Sequence, residues 1–301
     1  MSHSIQATLT EIQKILLGKD QQVRLALTCL IAKGHLLIDD LPGMGKTTLS
    51  HAIATVLGLS YNRIQFTSDL LPADLLGVNI FDRHKNEFTF HPGPVFAQLV
   101  LADEINRAPP KAQSALLEAM EERQVSLEGE TRLLPAPFFV IATQNPVEQS
   151  GTYPLPESQL DRFMMKISLG FPDSESEKQL LKGVDRRNLI STLSITMNPS
   201  ELLQLQEKVE TITVSDAVVD YVHRLLTYTR QTEGFGHGLS PRAGISLIRA
   251  AKAWALVDGR QFILPDDIQM VLPSVVEHRL SGSSVSGHPL SHQLLKSVDI
   301  F

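Results

Sequence analysis

The strongest constraint on the fold of this chain is the stretch LLIDDLPGMGKTTLSHAIA at residues 36–54. It combines a short apolar strand, a glycine- and proline-containing loop, a lysine with two threonines, and a helical pattern. The N–H groups of such a loop, the helix N-terminus and the lysine can surround a chain of phosphates, while the first threonine can hold magnesium. The pattern therefore predicts a strand, a phosphate loop and a helix within a parallel α/β sheet.

One position departs from the strict form of this pattern, because Asp40 stands where the first glycine belongs. This position is the exit of the strand, so we expect the substitution to change the turn more than the phosphate cradle. An ordinary glycine turn between a strand and a helix is the alternative. The residues expected to contact the nucleotide in this loop are Pro42, Gly43, Met44, Gly45, Lys46, Thr47 and Thr48.

The order of apolar and helical segments predicts two units. Short apolar runs, including those within 96–104 and 138–145, alternate with helical patterns up to residue 172. Such alternation is typical of a parallel sheet covered by helices on both faces. From residue 173 the pattern is almost entirely helical. We therefore predict an α/β nucleotide-binding core over 1–172 and a small all-helical lid with a C-terminal tail over 173–301.

Two acids follow a buried-strand candidate in the segment FAQLVLADE at 96–104. Asp103 and Glu104 would be costly there unless they reach a cation or water at the sheet edge. In phosphoryl-transfer sites one carboxylate holds magnesium and its neighbour orients the attacking water. We expect Asp103 and Thr47 to be the magnesium ligands and Glu104 to be catalytic.

The composition argues against several classes of function. The formal charge of −6 does not favour a nucleic-acid partner, and no apolar run is long enough to span a membrane. The single cysteine, Cys29, cannot form an internal disulfide, and the start of the chain does not resemble a signal peptide. The ten histidines show no metal-ligand spacing. We expect a cytoplasmic protein whose partners are proteins.

Motifs in order along nearly the whole chain resemble the AAA+ ATPases and, within them, the MoxR family of the helix-2-insert group. They are LLGKDQQV, LPGMGKTT, LADEINRAPP, IATQNP, GTYPLPESQLDRF, GLSPRA and EHRL. The resemblance implies an AAA+ αβα sandwich followed by a helical lid, and a family in which an acidic residue at the Asp40 position is tolerated. It also implies ATP or ADP and Mg²⁺ as cofactors.

The resemblance also assigns roles to residues outside the loop. It implies that Asn145 is the sensor-1 residue, that Arg162 is an arginine finger acting in a neighbouring subunit, and that Arg242 is sensor 2. Ser240 and Pro241 suit the start of a helix, so we expect Arg242 in its first turn, able to swing over the phosphates when the two domains close. The segment with Leu16, Leu17 and Gly18 corresponds to the adenine contact, and a helix end packing on the core would explain these residues equally well.

The leading hypothesis is an ATPase that remodels, activates or assembles protein clients as a homo-hexamer. The resemblance implies von Willebrand A-domain proteins as possible partners. A chelatase-type motor for metal insertion, a nucleic-acid motor and a scaffold that binds nucleotide without hydrolysis are the alternatives. The hairpin predicted at 124–134 carries Glu128 and Glu130 against the single Arg132, which disfavours nucleic acid.

A first hairpin is predicted at 78–94, with its turn at 84–86. Phe88 and Phe90 alternate with polar residues in it and could anchor the hairpin or contact a partner. We expect anchoring, since alternation usually marks one buried face.

Overall fold

The structure is a computed structural model that describes residues 2–84, 86–146, 151–183, 186–280 and 289–300. The helices are α1 (Ser2–Gln13), α2 (Asp20–Ile31), α3 (Lys46–Val56), α4 (Pro72–Leu76), α5 (Pro110–Glu122), α6 (Glu157–Leu160), α7 (Ser174–Lys182), α8 (Pro199–Glu210), α9 (Asp216–Gln231), α10 (Pro241–Val257), α11 (Pro265–Val276) and α12 (Leu290–Ser297). The strands are β1 (Leu36–Asp39), β2 (Tyr61–Gln65), β3 (Gly77–Asp82), β4 (Glu87–Pro92), β5 (Leu99–Asp103), β6 (Gln124–Leu127), β7 (Glu130–Leu133), β8 (Phe139–Gln144) and β9 (Met165–Ile167).

The core is a parallel sheet in the order β2-β5-β8-β1-β9. Leu36 and Ile38 of β1 pack into the cluster shared with α1, α2, α3 and the lid, whereas Leu37 packs on the side of α5. Successive side chains of a strand point to opposite faces, so a strand covered on both sides must be apolar throughout. Each such side chain contributes roughly 1.5–3 kcal/mol on burial. The predicted α/β class with a parallel sheet and flanking helices is confirmed.

Strand β9 was not predicted from the sequence. It has only three residues, and its alternation of buried Met165, half-buried Lys166 and buried Ile167 is too short to stand out. It pairs with β1 from Met165 opposite Leu36. This pairing places the residues just before β9 at the same edge of the sheet as the start of β1.

The C-terminal part of the chain is helical, as predicted. Helices α8 and α10 are two of the longer ones in this part, and α10 packs against α11 and α2. The boundary at residues 172 and 173 stays a prediction. Residues 281–288, within the predicted C-terminal tail, lie outside the described residues.

Both predicted hairpins are present, as β3-β4 and β6-β7. The expected turn at 84–86 includes Lys85, which lies outside the described residues. Phe90 anchors the first hairpin, since its ring packs 5.7 Å from that of Phe96 and the Arg132 guanidinium lies 3.9 Å from its centre. The expectation is wrong for Phe88, which is 70% exposed near the hairpin tip, where its ring meets only that of Phe81 among the described aromatic contacts.

Across the described ranges, no helix combines the length and apolar character needed to cross a lipid bilayer.

Candidate functional site

The phosphate loop lies where β1 ends and α3 begins. Gly43 (φ +84°) and Gly45 (φ +94°) both adopt left-handed backbone conformations that other residues rarely adopt. A side chain at Gly43 would meet no atom within 4 Å, so backbone conformation rather than space requires glycine there. With α3 starting at Lys46, the loop presents N–H groups at a helix N-terminus. This arrangement fits a chain of phosphates.

Lys46 is buried between the ends of two strands. Its Nζ donates to the main-chain oxygens of Asp40 at 2.6 Å and Gln144 at 3.1 Å. Burial lowers the pKa of the Lys46 ammonium, and the charges of Asp103, Asp40 and Glu104 oppose this effect. The lysine is therefore a cation held at the carboxyl edge of the sheet, where anionic phosphates would add to its partners.

Asp103 ends β5 at the same edge. Its Oδ1 accepts a hydrogen bond from the hydroxyl of Thr143 at 2.6 Å, and its Oδ2 accepts from Arg63 Nε at 3.1 Å and Nη2 at 2.7 Å. Among the described residues no cluster of three histidine, cysteine or acidic side chains could hold a metal alone. A magnesium ion at Asp103 and Thr47 would therefore need phosphate oxygens to complete its shell.

Glu104 follows immediately in a left-handed conformation (φ +58°). Its N–H donates to the Thr143 hydroxyl oxygen at 2.8 Å, so one buried threonine contacts both acids. Its Oε2 accepts from Gln65 Nε2 at 2.9 Å and lies 3.1 Å from Arg107 Nε. These contacts fix the Glu104 carboxylate at the sheet edge.

The sequence interpretation missed the partners of these acids. They are Arg63, Gln65, Arg107 and Thr143. The pairing register of the strands could have revealed these partners, because Gln65 of β2 lies opposite Asp103 of β5 and the ends of the two strands are therefore adjacent. A sequence motif within one strand does not contain that information.

Asn145 and the segment before α2 lie near the same loop. Asn145 is buried directly after β8. Leu16 is buried, and its Cδ2 lies 3.3 Å from the position of a β-carbon built on Gly45. Gly18 (φ +64°) approaches the start of α7 so closely that a β-carbon would lie 2.4 Å from Asp173 Oδ2. The half-buried Leu17 lies between them in sequence.

Arg162 and Arg242 do not lie at this edge. Arg162 precedes β9, so it lies at the amino-terminal edge of the sheet, opposite the phosphate loop. Glu121 contacts both arginines: its Oε2 lies 3.1 Å from Arg162 Nη2, and its Oε1 accepts from Arg242 Nη2 at 2.8 Å. The structure thus brings together the two arginines and separates both from the loop of their own chain.

Arg242 occupies the first turn of α10, and Ser240 caps that helix by accepting from the Ala243 N–H at 3.2 Å, as the sequence predicts. Arg242 lies away from the loop of its own chain in this structure, and its swing over the phosphates when the two domains close stays a prediction. Glu121 lies in the last turn of α5, which begins near the phosphate-loop edge of the sheet and ends near the opposite edge. The lid contacts this end of α5, so Arg242 lies at the amino-terminal edge.

A third arginine, Arg279, completes this edge and was given no role from the sequence. Its side chain is 5% exposed, and its guanidinium donates to Asp161 Oδ1 at 2.6 Å, to Phe163 O at 2.8 Å and to Met164 O at 3.1 Å. Burial lowers the pKa of Arg279, and Asp161 opposes that shift. Arg279 therefore ties the end of the lid to the turn that carries Arg162.

The three arginines border a cavity of about 270 Å³. Its basic lining residues are Lys33, Arg123, Arg162, Arg242, Arg249 and Arg279, and its acidic ones are Glu121 and Asp161. This excess of positive charge suits an anionic surface or ligand.

Comparison with known proteins identifies similar chains and domains. Residues 35–165 match the ATPase family associated with various cellular activities (AAA), and residues 227–294 match the AAA lid domain. The chain is 45% identical to an uncharacterized protein, YeaC, of Bacillus subtilis, covering 89% of this chain and 84% of that protein. It is 44% identical to the chaperone MoxR1 of Mycobacterium tuberculosis, covering 92% and 76%.

A crystal structure of a candidate ATPase from Cytophaga hutchinsonii has the same fold. The TM-score is 0.90 with 37% sequence identity, and the match covers 99% of this chain and 95% of that chain.

Proposed function

We propose that this chain, which belongs to the MoxR family of AAA+ ATPases, hydrolyses ATP at the boundaries between protomers of a ring. The observation that carries the proposal is the division of the chemistry between two edges of one sheet. The loop, Asp103 and Glu104 lie at one edge, and the Arg162–Glu121–Arg242 group lies at the other. A head-to-tail assembly brings these two edges together.

At the carboxyl edge, each proposed role follows from position. Bound Mg-ATP supplies the phosphoryl group and a divalent charge. The loop N–H groups and Lys46 would hold the outer phosphates, and Thr47 and Asp103 would hold the magnesium. The carboxylate of Glu104 would accept a proton from the attacking water, with Gln65 fixing its orientation. Asn145 would position that water.

At the amino edge, Arg162 and Arg242 would face the nucleotide of the neighbouring protomer. A guanidinium inserted there offsets charge that develops on the transferred phosphoryl group. Glu121 contacts both side chains at once, so they would reach the neighbour as a pair. Arg279 keeps the supporting turn in place.

Mixed assemblies test the division between protomers. Lys46→Ala removes the phosphate-binding lysine, and Arg162→Ala removes the arginine supplied to a neighbour, so each variant alone should be inactive. In an equimolar mixture, roughly a quarter of the boundaries would pair an intact loop with an intact arginine, so activity should return. Arg249→Ala, in the same cavity but paired with Glu210, is the matched control.

Two outcomes would contradict this proposal. Normal hydrolysis by Arg162→Ala alone would exclude the finger role. Mixed particles of ring mass, confirmed by mass photometry, that remain inactive would exclude catalysis at the boundary. A hexamer is the ring size we propose.

We further propose that the ring uses this energy to remodel or activate protein clients, von Willebrand A-domain proteins among them. The name of the relative MoxR1 includes the word chaperone. The second hairpin favours a protein client over nucleic acid, because the only basic residue between Gln124 and Leu133 is Arg132. This arginine is already paired with Glu130 and stacked on the ring of Phe90. Purifying a Glu104→Gln variant with its cellular partners in ATP, and again in ADP, would test this, because clients should remain bound only in ATP. DNA-stimulated turnover would favour a nucleic-acid motor instead.

A further inference from the structure

Asp40 stands where the phosphate-loop pattern has its first glycine. Its side chain is buried and makes contacts that a glycine could not make. Its Oδ2 accepts from the N–H groups of Leu169 at 2.6 Å and Gly170 at 2.7 Å, and from the Ser168 hydroxyl at 3.2 Å. Its Oδ1 accepts from the N–H of Leu41 at 3.0 Å. The carboxylate thus joins the loop to the segment that leaves β9 toward the lid.

Lys19 binds the same segment from its other side. Its Nζ donates to the carbonyl oxygens of Leu169 at 2.7 Å and Gly170 at 2.9 Å, and Lys19 is only 5% exposed. Gly170 itself is in the left-handed region (φ +61°). Two buried opposite charges therefore satisfy the N–H and C=O groups of one two-residue segment, which fixes its conformation.

The fixed segment leads directly into the lid. Asp173 caps α7, accepting from the N–H groups of Glu175 at 3.0 Å and Ser176 at 2.9 Å. The close approach of Gly18 to Asp173 and Ser176 packs the helix start against the segment that also carries Lys19. A shift of residues 168–170 would therefore move the start of α7.

The other end of the connection is the phosphate-binding lysine. The main-chain oxygen of Asp40 accepts from Lys46 Nζ at 2.6 Å, so one residue contacts Lys46 through its backbone and the lid connector through its side chain. We infer that Asp40 is a positioning residue that transmits the nucleotide state of the loop through residues 168–170 to the lid. This inference rests on the proposed function of the loop.

Hydrogen exchange with and without nucleotide tests the connection directly, without relying on turnover. In the wild-type protein, ADP or a non-hydrolysable ATP analogue should change amide exchange across residues 168–183. In Asp40→Gly, which restores the usual glycine, the amides of Leu169 and Gly170 should exchange faster without nucleotide, and the nucleotide response of 171–183 should be lost. Nucleotide affinity should stay within about threefold while kcat falls roughly tenfold, the usual scale of coupling between sites.

Asp39→Asn is the matched control, since this neighbouring acid pairs with Lys166 and should keep the exchange response. If Asp40→Gly does not fold, as judged by circular dichroism, Lys19→Gln loosens the connector from its other side and should give the same loss of response. An Asp40→Gly or Lys19→Gln protein with the wild-type exchange response overturns the inference. A wild-type protein that responds to nucleotide without hydrolysing ATP contradicts only the proposed function, whereas one that hydrolyses ATP with no change at 168–183 contradicts only this inference.

Discussion

The carboxyl-terminal edge of the sheet collects acids around one lysine, whereas the amino-terminal edge collects arginines around two acids. At the first edge, each acid is fixed by strand partners: Asp103 by Arg63 and Thr143, and Glu104 by Gln65. At the second edge, a single carboxylate, Glu121, contacts two arginines. The difference teaches that the acids of the first edge are paired by residues of their own chain, while the second edge has cationic capacity left for a partner.

The largest expected effect is on turnover, from a substitution that changes only the carboxyl edge. Glu104→Gln keeps the shape of the side chain but removes the proton acceptor, so turnover should fall roughly 10³-fold, within the usual range for a general base. Nucleotide binding, followed by calorimetry, should be retained. Glu118→Gln, an exposed acid on α5, is the control. Unaltered hydrolysis by the Glu104 variant would remove its proposed role.

The next effect concerns stability at the amino edge. Arg279→Met leaves Asp161 without its buried cation and removes the guanidinium donor to the carbonyl oxygens of Phe163 and Met164, so the free energy of unfolding should fall by about 4 kcal/mol. Urea denaturation measures this change. Arg249→Met, whose partner Glu210 is exposed, should cost less than about 1 kcal/mol. Equal losses would mean that Arg279 does not tie the lid to the sheet.

Acid should weaken the amino edge through its buried histidines. His35 begins this edge, accepting from the Val140 N–H at 3.0 Å, and burial lowers its pKa to about 4. The pKa of His278 is lowered as well, chiefly by burial. In the unfolded chain the imidazole of His35 takes up a proton at about pH 6.5, whereas in the folded protein it stays neutral down to about pH 4. The folded protein therefore has its full stability above pH 6.5 and loses about 3 kcal/mol of unfolding free energy through His35 as the pH falls toward 4.

His35→Asn tests this sign, since an amide oxygen can replace the ring acceptor without titrating. The variant should show a shallower loss of unfolding free energy between pH 6.5 and 4 than the wild-type protein. His84→Asn, on the exposed hairpin, is the control for the same substitution at an exposed histidine. Identical slopes for His35→Asn and the wild type would contradict the assignment.

The smallest expected effect distinguishes the role of Arg242 from that of Arg162, the other arginine paired with Glu121. Arg242 is 55% exposed in its side chain, so Arg242→Ala should change the free energy of unfolding by less than about 1 kcal/mol. Its loss should still reduce turnover roughly tenfold if it acts beside Arg162. Steady-state kinetics and thermal melts on the same sample measure both. If the Arg242→Ala protein is partly unfolded under the assay conditions, to the same extent as its turnover is reduced, the role of Arg242 is structural.

The sequence predicts what depends on neighbours along the chain. The phosphate loop and the two acids after β5 are local patterns, and so is the Ser240–Pro241 start of α10. The contacts of Arg63 and Gln65 depend on which strands pair and in what register, and the position of Arg242 depends on how the lid docks. A pattern within one element does not encode such pairings, which is also why β9 and Arg279 were missed.

The contacts of Lys46 have a consequence for affinity. Its ammonium has already left water and already rests on two carbonyl oxygens, those of Asp40 and Gln144. Binding a ligand would add acceptors around a stationary cation instead of immobilising a freely rotating side chain. The entropy of immobilisation is thus lost when the protein folds, and little of it remains to oppose association.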